Sequence, residues 1–473
     1  MAKSFETVIG LEVHVQPNTN SKIFCPCPTE FNAPANTHIC PVCCGYPGVL
    51  PVFNKRALEL AVRTSLALHC TINEKIYFER KNYFYPDLPK NYQISQYALP
   101  LGENGHLELS GGKKIGITRV HLEEDAGKLI HREDCSLVDF NRTGTPLLEI
   151  VSYPDMNSPQ EAWEYLQMLK LIIQYIEVSS CDMEKGYLRC DANISLREEG
   201  ATQLGTKIEL KNMNSFKGVK DALVFEEKRQ RNLLLDGKTL SQETRLWDEV
   251  KGKTVTMRTK EEAHDYRYFP EPDLVSFSVT ASMITEQRQY VPELPLARTK
   301  RFIDEYGLSE KDVEVLISHR WSADFFEQSS VHFPHFKQIA NWIIGPLLEI
   351  TNAFPEGFSK IKMSPGEFAK LVRYFSEGTL NNITAKKVLT EALTTGVDID
   401  KIIQEKSLIQ VSDESELDGY VSDAVAEHPK SVEDYRKGKS QALMFLVGSV
   451  MKKTKGKANP KIVREMIEKK IQQ

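Results

Sequence analysis

Thr7-Val8-Ile9-Gly10-Leu11-Glu12-Val13-His14-Val15-Gln16 alternates in character residue by residue. Side chains of a strand point to opposite faces in turn, so Glu12, His14 and Gln16 share one face while Leu11, Val13 and Val15 share the other. A carboxylate and an imidazole two residues apart are then aimed at the same volume. A strand with one solvated face has the same pattern, so this segment alone leaves both readings open. Outward from it, strand-like alternation recurs at 115–122, 188–197 and 206–211, with helical stretches at 55–68, 158–176 and 218–235. Strands and helices mix without the strict β-α-β-α order of a doubly wound sheet, which predicts an α+β catalytic cradle over 1–293.

Pro292-Glu293-Leu294-Pro295 marks the end of that domain, because paired prolines stop regular structure on either side. Residues 294–405 read as an all-α helical domain, with patterns such as Ala385-Lys386-Lys387-Val388-Leu389, and 406–473 as a small all-α tail. Residues 431–473 carry eleven Lys or Arg against four Asp or Glu, a local +7 in a chain whose net charge is -5. A solvated helix face can account for such a balance. The basic run Lys452-Lys453-Thr454-Lys455-Gly456-Lys457, held between two helical segments, also suits phosphate-backbone contact.

The 473 residues suffice for two or three domains, and 41% hydrophobic with 26% charged residues is ordinary for a soluble protein. No apolar run approaches the roughly 20 residues that span a bilayer, and no signal-peptide pattern opens the chain. These features predict a cytoplasmic protein with no membrane partner. Nine cysteines are an odd number, and Cys25, Cys27, Cys40 and Cys43 cluster. Two close thiolate pairs separated by twelve residues suit four-coordinate zinc, and four thiolates would close the shell, making that metal structural. Cys44, Cys70, Cys135, Cys181 and Cys190 read as plain residues.

Glu149 is a lone acid in the apolar run Pro146-Leu147-Leu148-Glu149-Ile150-Val151, where an unpaired buried carboxylate is costly and a cation would relieve it. Glu123, Glu124 and Asp125 end another strand-like segment. Several carboxylates with one histidine suit a hard ion such as Mg²⁺. No Walker loop is present: Gly438-Lys439-Ser440 resembles its end, but Glu433 stands where the first glycine belongs. Neither a Gly-x-Gly-x-x-Gly run nor a protein-kinase signature set occurs. Residue chemistry therefore gives a Mg²⁺ site, a zinc knuckle and a basic tail, but no reaction.

Several segments together closely resemble the B subunit family of bacterial-type aspartyl/glutamyl-tRNA amidotransferases. They are Gly10-Leu11-Glu12-Val13-His14, Arg80-Lys81-Asn82-Tyr83-Phe84-Tyr85-Pro86-Asp87 and His121-Leu122-Glu123-Glu124-Asp125-Ala126-Gly127-Lys128. Asn141-Arg142-Thr143-Gly144-Thr145-Pro146-Leu147-Leu148-Glu149, Leu188-Arg189-Cys190-Asp191-Ala192-Asn193 and Lys207 to Phe216 continue the likeness, as do Asp265 to Asp273 and Val447 to Pro460. Two positions depart from the family pattern: Tyr153 stands where Glu is usual and Ala98 where Asp is expected.

The resemblance implies a heterotrimer in which an amidase-type A subunit supplies ammonia and a small C subunit steadies the assembly. The B subunit would phosphorylate the side-chain carboxylate of misacylated Glu-tRNA(Gln) or Asp-tRNA(Asn) with ATP, and ammonia would displace phosphate. It places Mg²⁺ on Glu12, His14, Glu124 and Glu149; alternation alone does not choose Glu124 over Glu123. Lys81 is then a candidate for ATP or acyl-phosphate contact, with Asp191, Lys207 and Lys211 lining the same cradle. The tail would hold the tRNA body through Lys452, Lys453, Lys455 and Lys457. A non-catalytic zinc-knuckle RNA-binding protein is the alternative.

Overall fold

A computed structural model describes residues 4–259, 266–354, 357–406, 408, 414–454 and 458–472. These residues form two compact units, Met1–Arg298 and Thr299–Gln473. The division falls inside the helix Pro295–Tyr306, just beyond the double-proline segment.

The first unit is built on a nine-stranded sheet. From edge to edge its strands are Lys253–Thr259, Glu243–Asp248, Ile208–Lys211, Leu188–Glu198, Phe5–Val15, Pro146–Ser152, Lys114–Glu124, Gly102–Glu108 and Thr71–Ile72. The opening strand of the chain is thus the central one. Every pairing is antiparallel except that of Ile208–Lys211 with Glu243–Asp248. A parallel pair needs a crossover connection, and the helix Phe216–Leu235 supplies it.

One face of the sheet is apolar. Leu11, Val13, Val15, Val120, Leu122, Leu148, Ile150, Cys190 and Ala192 all enter a single buried core. Helices bring the other half of that core. In Pro159–Tyr175, Tyr165, Leu166, Leu169, Ile172 and Ile173 recur at helical spacing and are buried. That helix starts where the local chemistry tells it to: Ser158 accepts from Glu161 N at 3.1 Å and proline occupies the first turn. Lys55–Ala67 and Phe216–Leu235 are capped by Asn54 and Ser215 in the same way. The three helices read from periodicity therefore all pack on that core.

The other face of the sheet is polar at its centre. A three-stranded sheet of Phe269–Pro270, Glu79–Asn82 and Tyr92–Ser95 belongs to the same unit. Arg80 fixes the outer strand by donating from Nε and Nη2 to the buried Glu271 carboxylate at 2.7 and 2.8 Å.

The second unit has no strand among its described residues. Within it, Glu414–Glu427, Pro429–Arg436, Ser440–Lys453 and Pro460–Gln472 surround a core of their own, running from Leu417 through Leu446 and Val450 to Ile467 and Ile471. The α+β first part and helical remainder are as the sequence predicts. Among the described residues, no helix is long and apolar enough to cross a membrane.

Candidate active site

Cross-strand register assembles the polar face. His14 lies opposite Arg189 on one neighbouring strand and opposite Glu149 on the other, and Glu149 lies opposite His121. In the next row Glu12 sits between Asp191 and Val151, and Val151 lies opposite Arg119. Four strands thus deliver alternate residues to one surface, because each keeps its apolar alternates for the core.

The charged groups are packed closely. His14 Nε2 lies 3.7 Å from Glu12, 3.5 Å from Glu123 and 3.5 Å from Glu149. His121 Nε2 lies 3.4 Å from Glu149 and 4.0 Å from Glu123. The structure brings Glu123 into this group, whereas the expected Glu124 lies outside it. On the strand Lys114–Glu124, residues 119, 121 and 123 face the cavity, and residue 124 must face the other way. Glu124 is instead held by Lys90 and by Ile94 N at 2.9 Å, beside a separate cavity of about 200 Å³ that also touches Cys25 and Cys43.

Electrostatics follow from this crowding. Burial disfavours the His14 imidazolium, but its hydrogen bond to Glu149 and the charges of Glu149, Glu123 and Glu12 lift its pKa to about 9. Burial and the neighbouring Glu149 push Glu12 above the usual carboxylate range. Glu149 is buried too, yet His121 and His14 hold it well below that range. Burial likewise opposes the Lys81 charge, but Glu123, Tyr268 and Glu149 together outweigh it and raise the Lys81 pKa.

These groups line a cavity of about 800 Å³. Basic and aromatic groups share its lining: Lys81, Arg119, Arg189 and Lys211, with Tyr83, Tyr97, Tyr266 and Tyr268. Lys81 Nζ sits 5.1 Å from the Tyr266 ring centre, and Tyr97 stacks on Tyr268 at 4.4 Å. Asp191 pairs with Lys211. Arg189 Nη2 donates to Asp125 at 2.8 Å. Lys207, in contrast, is exposed and outside the lining. Sequence reasoning does not pick out Arg119, His121 and Arg189. For Arg189 the signal is present, since it shares a face with the chosen Asp191 on its own strand; Arg119 and His121 share a face with Glu123, which the expectation passed over in favour of Glu124.

The donor set of three carboxylates and two imidazoles suits a hard divalent cation. Cys25, Cys27, Cys40 and Cys43 also come together, their sulfurs all within 4.8 Å of one another. Tetrahedral zinc with bonds of about 2.3 Å sets its sulfurs about 3.8 Å apart; Cys40 and Cys43 are 3.9 Å apart. The fully buried Lys22 donates to Cys43 Sγ at 3.5 Å and to His38 O at 2.8 Å. Hydrogen bonds from Cys25 and Cys40, with the Lys22 charge, hold the Cys43 thiol down to about 4. The cluster can therefore bind a metal.

In the second unit, Lys452 is exposed, whereas Lys453 donates to Glu427 at 2.7 Å and lies 3.8 Å from Asp423. Lys455 and Lys457 lie outside the described residues.

Comparison with known proteins places the same segments in context. A family described as the GatB/GatE catalytic domain matches residues 7–285, and one described as the GatB domain matches residues 324–471. The chain is 50% identical over 477 residues to the B subunit of the aspartyl/glutamyl-tRNA(Asn/Gln) amidotransferase of Carboxydothermus hydrogenoformans, covering 99% of both chains. Identity to the protein of that name from Thermoanaerobacter pseudethanolicus is 51%, again over 99% of both chains. For Brevibacillus brevis it is 52% over 98% of both.

Proposed function

The chain belongs to the family of aspartyl/glutamyl-tRNA(Asn/Gln) amidotransferase B subunits, and from that premise we propose that its sheet face carries out the ATP-dependent half of tRNA-linked amide synthesis. The reaction is a ligation that forms a carbon–nitrogen bond. An oxygen of the aminoacyl side-chain carboxylate on Glu-tRNA(Gln) or Asp-tRNA(Asn) attacks the γ-phosphorus of ATP, and ADP leaves. Ammonia then attacks the activated carbonyl carbon, phosphate departs with the bonding electron pair, and the nitrogen loses one proton to leave the neutral amide. The observation that carries this reading is the cavity itself, in which a cluster of carboxylates and imidazoles shares one lining with Lys81, Arg119 and Arg189.

Each side chain has a task there. Glu12, His14, Glu123 and Glu149 hold Mg²⁺, which when bound neutralises phosphate charge and aligns nucleophile with leaving group. Lys81 and Arg119 face the anionic triphosphate and the acyl phosphate. Asp191 keeps Lys211 directed along the sheet toward the same space. Zinc in the four-cysteine cluster braces the loop that precedes the first helix. Ammonia comes from an amidase-type A subunit, with a small C subunit in the assembly, and the whole acts in the cytoplasm. A separate helical tail spanning 406–473, following a helical domain over 294–405, grips the tRNA body; its independent hydrophobic core supports that division. The non-catalytic RNA-binding alternative draws no support from the comparisons, and an acidic floor repels RNA unless cations intervene.

The test is ATP-dependent conversion of Glu-tRNA(Gln) to Gln-tRNA(Gln) by the heterotrimer. His14→Ala and Glu123→Ala are each expected to lower the rate by at least a hundredfold. Full activity in either variant overturns the site.

A further inference from the structure

Gln93 and Gln96 stand at and just beyond the end of the strand Tyr92–Ser95, and both reach the strand Lys114–Glu124. The pairing of that strand with Gly102–Glu108 runs no further than Val120. Past that point its edge groups need other partners, and the two amides supply them. Gln93 Nε2 donates to Glu124 O at 2.7 Å, and Gln96 Oε1 accepts from Leu122 N at 3.0 Å.

The two amides differ at their other ends. Gln93 Oε1 accepts from the Tyr83 hydroxyl at 3.3 Å, so that side chain is used on both sides. Gln96 Nε2 is buried with no hydrogen-bond partner among the described residues. Which end of an amide carries the nitrogen is set by its bonds, and only the oxygen can accept from Leu122 N–H. Nε2 is therefore the free end. Gln96 is 1% exposed and belongs to the lining of the catalytic cavity. A buried donor left unpaired costs about 1–3 kcal/mol, and capping Leu122 N needs no donor, since a carboxylate would serve as well. Resting on the reaction proposed above, we infer that Gln96 is a catalytic residue whose Nε2 donates to the carbonyl oxygen of the acyl group being amidated.

The donor is held before substrate arrives. Ser95 lies opposite Glu79 across the strand pair, and the buried Glu79 Oε2 accepts from Tyr97 N and Ala98 N at 2.7 and 2.8 Å. Gln96 is thus pinned through the backbone on either side and through its own oxygen at Leu122. A donor fixed in this way costs no reorganisation when charge develops. Charge also selects the oxygen it meets. Lys81, Arg119, Arg189 and Lys211 already give the cavity cationic partners for phosphate. A cation on the substrate carboxylate would hold electron density back from the oxygen that attacks phosphorus, whereas a neutral amide does so less. When ammonia adds, the C–N bond forms and the carbonyl π pair moves onto oxygen, so the bond from Gln96 strengthens. That pair returns as the C–O bond to phosphate breaks; phosphate leaves with the electrons of that bond, and nitrogen sheds one proton. Gln96 therefore acts on amidation more than on phosphorylation.

The test separates the two steps in the heterotrimer charged with Glu-tRNA(Gln) and ATP. ADP formed in a single turnover without an ammonia source reads phosphorylation, and Gln-tRNA(Gln) formed on adding ammonium chloride reads amidation. Gln96→Glu keeps an acceptor for Leu122 N and loses the amide donor. It should slow amidation about a hundredfold while ADP formation changes little. Gln96→Met removes the donor without adding charge and should show the same split; it carries the test if the new carboxylate disturbs ATP. Wild-type amidation by Gln96→Glu with a defect only in Gln96→Met assigns the amide to Leu122 alone and overturns the inference. Equal slowing of both steps in both variants overturns it too. A wild-type heterotrimer that makes neither ADP nor amide sinks the proposed function first, and this role with it.

Discussion

Lys90 and Glu124 form an ion pair whose side chains are only 9% and 2% exposed. Removing one partner of a buried pair strands the other charge, at a cost of about 3–5 kcal/mol. Glu124→Ala should therefore lower stability by about that amount in urea denaturation, while Mn²⁺ affinity changes little. A loss below about 1 kcal/mol would show that Lys90 escapes to water. Glu123, one residue earlier, should behave in the opposite way, with metal affinity falling sharply. The cysteines offer a second contrast at this scale. Cys135 is exposed, whereas Cys181 is fully buried and burial pushes its thiol up to about 12. The thiolate is the reactive species, and its fraction near neutral pH is negligible for such a group. Alkylation of the native chain should label Cys135 quickly and Cys181 only after unfolding, as read by peptide mass spectrometry. Rapid labelling of Cys181 would mean that its pocket opens locally.

Helices fix the sheet from its apolar side, so their ends matter to the site at a distance. Ser158 caps Pro159–Tyr175 by accepting from Glu161 N. Ser158→Ala should cost about 1 kcal/mol, visible as a small fall in Tm with unchanged metal binding. A loss several times larger would place Ser158 in something beyond the cap. Strand and helix identities are readable because their signals are local. A period of two marks Phe5–Val15, Lys114–Glu124 and Leu188–Glu198; a spacing of three and four marks the three helices. The short strands Glu79–Asn82 and Phe269–Pro270 carry no such pattern, since two to four residues are too few to show one. Lys81 is identifiable only through its motif, and its place in the cavity depends on that short sheet.

At the scale of the whole chain, the role proposed for the tail is to join a net acidic protein to polyanionic tRNA. The local charge of +7 over 431–473 overstates what is free to bind phosphate, because Lys453 is already paired with Glu427. Lys452→Ala should therefore weaken tRNA binding and reduce its salt slope by about one unit. Lys453→Ala should have less effect on that slope, as filter binding across a salt series would show; equal effects would mean that Glu427 releases its partner on binding. By itself the sequence determined the strand–helix pattern, the polar face of the first strand, the two thiolate pairs and the helical second half. All of these are periodicities or spacings within one segment. Only the tertiary structure decided that Glu149 meets both His14 and His121, that Glu123 rather than Glu124 joins them, that Lys207 stays outside, and that Lys453 is neutralised. The reason is physical. Alternation says which residues of one strand share a face, whereas the neighbours of that face are set by the register between strands far apart in the chain, and register is fixed by the packing of the whole core.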